Sequence, residues 1–481
     1  MGADLNRREF LRNALYASLA GGTALGLTWP TRALAACGAV AMPRTLVNLM
    51  LYGGIDSRFV FMPSPGHPNT SYLDKLWAAR ENLYTTAYPD YASMFGAEYG
   101  LVADPLGGPE FGIHNSCGWL RDEFNAGRMA IVANSFCSRN RRHDQSQLNA
   151  NVGEPDYDAL YYDRDGWGGR LVEQLGADST TVELSHEISV FGHGTVIGER
   201  LKQVVHAQDT RDIALPNVNP AWHVADRRNV LIRALKSYYE ARGSELKTQT
   251  ASPFNIFFQH NRAFREFGDA IEARLESCGP LPPELAGLDL YSHHFERQCR
   301  NLYDICLAPD ILNLRTVSMR YDGWDTHNNQ YQRITRNLQD VFGAAGGLAT
   351  AMQQIEGLPA AGPPAREQLV VFVSSDFGRQ LRANGDRGTD HGRGIYSILA
   401  GHGVNGGVYG DMFPDREALP DGNGRIPLET SGADIQGLTS TERILAAACE
   451  WMQPGSAAQV FPGAGNAAIE APGLLDSLLA A

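Results

Sequence analysis

The stretch Leu369-Val370-Val371-Phe372-Val373-Ser374-Ser375-Asp376-Phe377-Gly378-Arg379 sets the reading of the whole chain. Five apolar residues stop abruptly at small polar ones. A run this short and this apolar suits a strand buried on both faces, as in a parallel sheet covered by helices. The pattern recurs at 46–51 ahead of Tyr52-Gly53-Gly54-Ile55-Asp56, and at 129–133 ahead of Asn134-Ser135. It appears again at 314–319, ahead of Tyr321-Asp322-Gly323-Trp324-Asp325-Thr326-His327, and at 396–400, ahead of Gly401-His402-Gly403. Between these runs, 330–355 repeats apolar residues at helical spacing, with Leu338, Val341, Phe342 and Leu348 on one side. Strands alternating with helices predict a doubly wound α/β fold with a mainly parallel sheet. The middle of the chain, about 220–307, is charged and helical, as over 227–242 and 261–276, and reads as a helical insertion on that core.

Composition excludes some partners. The formal net charge of −13 argues against nucleic acid, which calls for a basic face. No segment after the N-terminus reaches membrane-spanning length. A hydrophobic fraction of 43% and a charged fraction of 20% are those of an ordinary globular protein; the length allows one large α/β domain or two, and 37–481 is taken as one.

The N-terminus reads as an export signal. Arg7-Arg8 precede Phe10-Leu11, an apolar stretch covers 14–27, and Ala33-Leu34-Ala35 forms a small-x-small cleavage site. Residues 1–36 are therefore expected to be a twin-arginine signal peptide, handled by the twin-arginine translocase, with a periplasmic or extracellular destination. Leu34-Ala35-Ala36-Cys37 also matches a lipobox, so a lipid anchor at Cys37 stands beside simple cleavage. The seven cysteines lie at 37, 117, 137, 278, 299, 306 and 449. Setting Cys37 aside leaves six, which an oxidising compartment would allow to form up to three bridges.

Ligands of open parallel sheets gather at the carboxyl ends of the strands. Asp56 follows the first run, Asp325 and His327 a later one, and Asp376 the next, with Asp390-His391 shortly behind in Gly388-Thr389-Asp390-His391-Gly392. Carboxylates and imidazoles converging on one edge suit a divalent metal, Zn or Mn/Ca. Such an ion would polarise an ester oxygen or activate water. Taken alone, Asp56 after a strand is more simply a helix cap. Arg139, Arg141 and Arg142, with His143 just behind them, follow another strand and could grip an anion such as phosphate or sulfate, against the plainer reading of a solvated basic loop. Gly401-His402-Gly403-Val404-Asn405-Gly406 matches a dinucleotide-binding fingerprint, but loop rather than helix follows it, so it reads as a glycine-rich turn.

Three blocks together carry a family resemblance: 51–56, 323–330, and the Asp376-Phe377-Gly378-Arg379 to Gly388-Thr389-Asp390-His391-Gly392 segment with Asn384-Gly385 between. With 111–134 they resemble the domain-of-unknown-function 1501 family, whose members typically begin with a twin-arginine signal. That family is thought to be distantly related to the alkaline phosphatase and sulfatase superfamily. The resemblance implies an alkaline-phosphatase-like core with a metal-centred site. Asp56 then looks like the acidic ligand after the first strand, and Asp325 with His327 like a pair on one ion. Asp376 looks like the acidic ligand of a second ion, and His391 like the distal histidine. It implies a metal-dependent hydrolase of phosphate or sulfate esters, acting on a small anionic ester or an envelope polymer, with Arg139, Arg141, His143 or Arg379 steadying the anion.

There are departures from the superfamily pattern. Phe377 stands where active members commonly place a histidine, and Arg142 stands where the nearer family commonly has a serine. Cys137-Ser138-Arg139 loosely resembles a sulfatase signature with Arg139 in place of its proline. Ser57, Ser116, Cys137 and Ser138 all remain open as the nucleophile. The alternative is a non-catalytic envelope protein that keeps the fold and serves in binding or assembly.

Overall fold

In a computed structural model of the chain, residues 37–176, 179–196, 204–212 and 270–480 are described, with residues 230, 234 and 268 besides. The signal-peptide reading of 1–36, and most of the helical readings at 227–242 and 261–276, lie outside the described residues.

The strands run in chain order as follows. β1 is Thr45–Tyr52; β2 (Phe61–Pro63), β3 (Tyr99–Val102) and β4 (Phe111–His114) form a small antiparallel sheet. Then come β5 (Met129–Phe136), β6 (Thr180–Glu183), β7 (Val204–His206), β8 (Leu314–Asp322) and β9 (Leu369–Ser375). β10 (Gly378–Arg379) and β11 (His391–Gly392) make a short antiparallel ladder, followed by β12 (Ile395–Gly401), β13 (Gly407–Tyr409) and β14 (Thr439–Ser440). The main sheet has the order β13-β5-β12-β9-β1-β8-β6-β7, with β14 also paired to β5.

Every pairing in this sheet is parallel except those of β12, which is antiparallel to both β5 and β9. This corrects the reading of 396–400 as one more parallel strand. A fully buried strand reads the same in either direction. The connection decides: after β9 the chain stays at one edge of the sheet through β10 and β11, so it re-enters from that edge.

β1 lies near the middle of the sheet and is buried along its whole length. Val47, Leu49 and Leu51 point into one core, with Ile334, Leu338, Val341 and Phe342 of the helix Gln330–Phe342 and Leu348 and Ile355 of the helix Gly347–Glu356. Leu46 points into a second core on the other face. It meets Trp167 and Leu171 of the helix Trp167–Leu175 and Ile444, Leu445 and Ala448 of the helix Thr441–Met452. Helices therefore cover both faces of a mixed α/β fold with a mainly parallel central sheet. The helical period over 330–355 is two helices, interrupted near Gly343 and Gly346. In mid-chain, residues 270–278 are helical. The helix His293–Leu307 sends Phe295, Leu302 and Ile305 into the same core as Val317 of β8. Among the described residues no helix is long and apolar enough to cross a membrane.

Cys37 forms a disulfide with Cys278, with Cα atoms 4.7 Å apart, while Cys117, Cys137, Cys299, Cys306 and Cys449 are free and buried. This corrects the expectation that six cysteines would pair once Cys37 was set aside. The five free thiols sit inside packed apolar cores, where a small hydrophobe is what the site needs. A Cys37 sulfur engaged in this bridge is not available to carry a lipid. Cys278→Ser is expected to add one alkylatable thiol, at Cys37, and to lower stability by ~2–4 kcal/mol. Mass tagging with a maleimide under native conditions, paired with denaturant unfolding, checks both; an unaltered tag count would refute the bridge.

Candidate metal centre

The strand order places β8 and β9 on opposite sides of β1, so the chain switches direction across the sheet at β1. At such a point the strand ends splay and leave a crevice. The carboxyl ends of β1, β5, β8 and β9 share this edge, because those strands are mutually parallel. The amino end of β12 joins them, because β12 runs the other way. Asp56, His143, Asp325, His327 and Asp376 thus arrive after strands, and His391 arrives just before one.

Two glycines allow the close approach. Gly53 and Gly54 have φ of +121° and +93°, in the region that favours glycine. A Cβ on Gly53 would lie 2.4 Å from the Asp325 backbone nitrogen, and one on Gly54 would lie 2.6 Å from the Phe377 ring. The turn after β1 is thereby pressed against both the β8 and the β9 loops.

Three donor atoms converge. His391 Nε2 lies 3.0 Å from Asp325 Oδ1, His327 Nε2 lies 3.1 Å from the same oxygen, and the two Nε2 atoms are 3.0 Å apart. The other nitrogen of each ring fixes which proton is where. His391 Nδ1 donates to the Arg141 carbonyl at 2.9 Å, since a carbonyl can only accept. His327 Nδ1 faces Asp390 Oδ1 at 2.9 Å and donates to it. Each neutral ring therefore points an Nε2 lone pair at the other and at a carboxylate oxygen. Three lone pairs about 3 Å apart repel one another unless a cation or a proton lies among them. Imidazoles backed by a carboxylate and a carbonyl are the usual support of metal-binding histidines.

His143 stands beside this group. Its Nδ1 is 3.0 Å from Asp376 Oδ2, and its Nε2 is 3.6 Å from Asp325 Oδ2. Donor atoms of His143, Asp325 and His391 all lie within 4.8 Å of one another. Phe377 is fully buried, and its ring lies 4.7 Å from His143 and 4.4 Å from His391, walling one side of the cluster.

Arg379 organises the floor. It is buried and donates to the carbonyls of Gly53, Gly54, Thr389 and Trp324 and to Asp325 Oδ1 at 2.6 Å. Burial opposes the charge on Asp325, but the Arg379 guanidinium outweighs it and holds the carboxyl down at about 2. Burial pulls His391 below the ordinary imidazole value, whereas the Asp376 hydrogen bond raises His143 above it.

The remaining expected residues do other work. Asp56 is buried; it caps the short helix Ser57–Val60 through Phe59 N at 3.2 Å, accepts from Gln330 Nε2 at 2.6 Å and pairs with Arg80. Ser57 is buried, and its hydroxyl oxygen accepts from Tyr396 N at 2.9 Å. Ser138 is buried and accepts from Asn140 N at 3.0 Å and Asn149 Nδ2 at 3.3 Å. Cys137 is buried against the carbonyls of Ser375 and Asp376, and burial, followed by the Asp376 charge, pushes its thiol well up, away from the reactive thiolate. Arg139 is exposed and paired with Asp156, and Arg141 binds Asp434 at 2.7 Å. Arg379 is fully committed to the protein itself.

Sequence reasoning passed over several supporting residues. Gln147, on the same helix as His143 and four residues on, reaches Asp376 Oδ2 at 3.3 Å. That i,i+4 spacing was the available signal. Asn384 ties Asp390 Oδ1 at 3.3 Å to the His327 carbonyl at 2.9 Å. Arg80 and Gln330, which satisfy Asp56, carried no local signal.

The fold and the strand-end cluster define a mixed α/β protein with a histidine–aspartate site at its switch point. The family described as "Protein of unknown function (DUF1501)" matches residues 165–417, just over half of the chain, and the chain belongs to that family. The blocks at 323–330 and 376–392 lie inside the match, whereas 51–56 and 111–134 lie ahead of it. No curated protein matches the chain.

Proposed function

We propose that this is an exported, metal-dependent hydrolase of phosphate or sulfate esters, on a fold of the alkaline-phosphatase-like type. The observation that carries the proposal is the convergence of Asp325 Oδ1, His327 Nε2 and His391 Nε2 at 3.0–3.1 Å with their outer nitrogens already spoken for. A divalent ion there supplies a Lewis acid for an ester oxygen or for water. The position at the switch point supports a ligand site. The Cys37–Cys278 bridge supports an oxidising destination outside the cytoplasm, as the Arg7-Arg8 signal does. With Ser57, Cys137 and Ser138 buried and engaged, water is the nucleophile this geometry favours.

A second reading has its own support. The guanidinium groups of Arg139, Arg141 and Arg379 are already paired with carboxylates, which leaves less to grip an anion. That favours a non-catalytic envelope protein that uses the site to bind or assemble. One experiment separates the readings. Metal content by mass spectrometry is measured on protein recovered from the envelope, beside His391→Ala, and both are assayed on 4-nitrophenyl phosphate and 4-nitrophenyl sulfate. Metal with ester cleavage, both lost in the variant, is the expected result. Metal without cleavage of any ester favours the second reading, and no metal in either sample overturns the proposal.

A further inference from the structure

We infer that the cluster takes one divalent ion rather than two, and that Asp376 serves to hold His143 as a fourth protein ligand to that ion. This rests on the metal-centred reading above and departs from the two-ion pattern that the superfamily resemblance implies.

The carboxylates expected at a second ion have nothing left to offer it. Asp376 is completely buried and accepts from three donors. Oδ1 accepts from Gly53 N at 3.0 Å and lies 3.2 Å from Ser375 Oγ, whose proton goes to the Leu51 carbonyl, and Oδ2 accepts from His143 Nδ1 at 3.0 Å and Gln147 Nε2 at 3.3 Å. A carboxylate has about four lone-pair positions; three are used here and the Ser375 hydroxyl oxygen crowds the fourth. Asp56 is taken by Arg80, Gln330 and the backbone of Phe59. Phe377, next to Asp376, brings no donor atom.

The same contacts present His143 to the ion. With Asp376 Oδ2 accepting the Nδ1 proton, Nε2 is left bare and aimed at Asp325 Oδ2, 3.6 Å away. The ring is clamped between Phe377 and His391, at 4.7 Å from each. Three imidazoles and one carboxylate make a nitrogen-rich set that favours Zn²⁺ and its neighbours over Ca²⁺, which takes six to eight oxygens.

The test uses Co²⁺ as a probe on the full chain, read by stoichiometry after dialysis and by the visible absorption of the bound ion. One Co²⁺ per chain is expected in the unmodified protein. His143→Gln is expected to weaken Co²⁺ by more than ~100-fold, since loss of an outer group alone typically costs 10–100-fold, and to alter the absorption bands. Asp376→Asn is expected to keep one Co²⁺ at reduced affinity. Two Co²⁺ per chain, one of them lost in Asp376→Asn, would overturn the inference and leave the metal-hydrolase reading standing. An unchanged spectrum and affinity in His143→Gln would remove His143 from the ion. No bound Co²⁺ in the unmodified protein would overturn both together. The stoichiometry of the unmodified protein needs no variant to fold.

Discussion

On the proposed metal-hydrolase reading, protein carrying His327→Ala is expected to leave purification without bound metal and without ester hydrolysis. The substitution removes one of three converging donor atoms, and Asp390 loses the ring it orients at 2.9 Å. Losing even an outer group that orients a ligand typically costs 10–100-fold in metal affinity, so loss of the ligand itself should cost more than ~100-fold. Asp390→Ala supplies the contrast. It leaves all three donor atoms in place and removes only the acceptor behind His327, so a loss of about 10–100-fold is expected. Competition titration against a chromophoric chelator measures both. An affinity within about threefold of the unmodified protein in His327→Ala would refute the assignment.

The second large effect concerns stability, away from the cluster. Glu417→Ala is expected to destabilise the fold by about 3–5 kcal/mol. Arg58, in the short helix that follows Asp56, is buried, and its Nη2 meets Glu417 at 2.6 and 2.7 Å. Tyr72 also donates to Glu417 at 2.7 Å. Removing the carboxylate leaves a guanidinium that cannot shed its charge inside apolar walls, between the rings of Tyr396 and Phe413. The double replacement Arg58→Met with Glu417→Leu removes both charges and should recover most of that loss, since buried pairs are often replaceable by apolar groups. Urea unfolding of the three proteins decides it. A double variant no more stable than Glu417→Ala would show that the pair contributes more than mutual neutralisation.

Much of the sheet could be read ahead of the structure. The runs at 46–51, 129–133, 314–319 and 369–373 are buried on both faces, so their residues are apolar throughout and stand out. What such runs cannot carry is direction, and β12 was misjudged for that reason. The two-residue pairings of β10 and β11 and the small sheet of β2, β3 and β4 left too short a pattern to see.

In the site, Asp325, His327 and His391 drew attention because two ligand types sit close together in glycine-flanked turns. Asp56 and Asp376 looked equivalent to them in sequence. What sets them apart is the company supplied by distant segments: Arg80 and Gln330 around Asp56, and His143 and Gln147 around Asp376. No local pattern encodes those meetings. His143 looked like an anion contact because three arginines precede it, and those arginines turn out to be engaged elsewhere.

The reversed entry of β12 has an architectural outcome. The segment between β9 and β12 leaves and rejoins the sheet at the same edge, so it behaves as a flap stitched down along both sides. Its stitched parts are Asp376 and Arg379 at one end and His391 at the other. Between them residues 385–387 are exposed. That tip is tied down as well: the carbonyls of Asp386 and Arg387 accept from Asn329 N at 3.2 Å and Gln330 N at 2.9 Å, just past His327, so lengthening it would disturb the turn that carries that ring. A label at this tip would report on the crevice, and the same hydrogen bonds would pass its strain to His327.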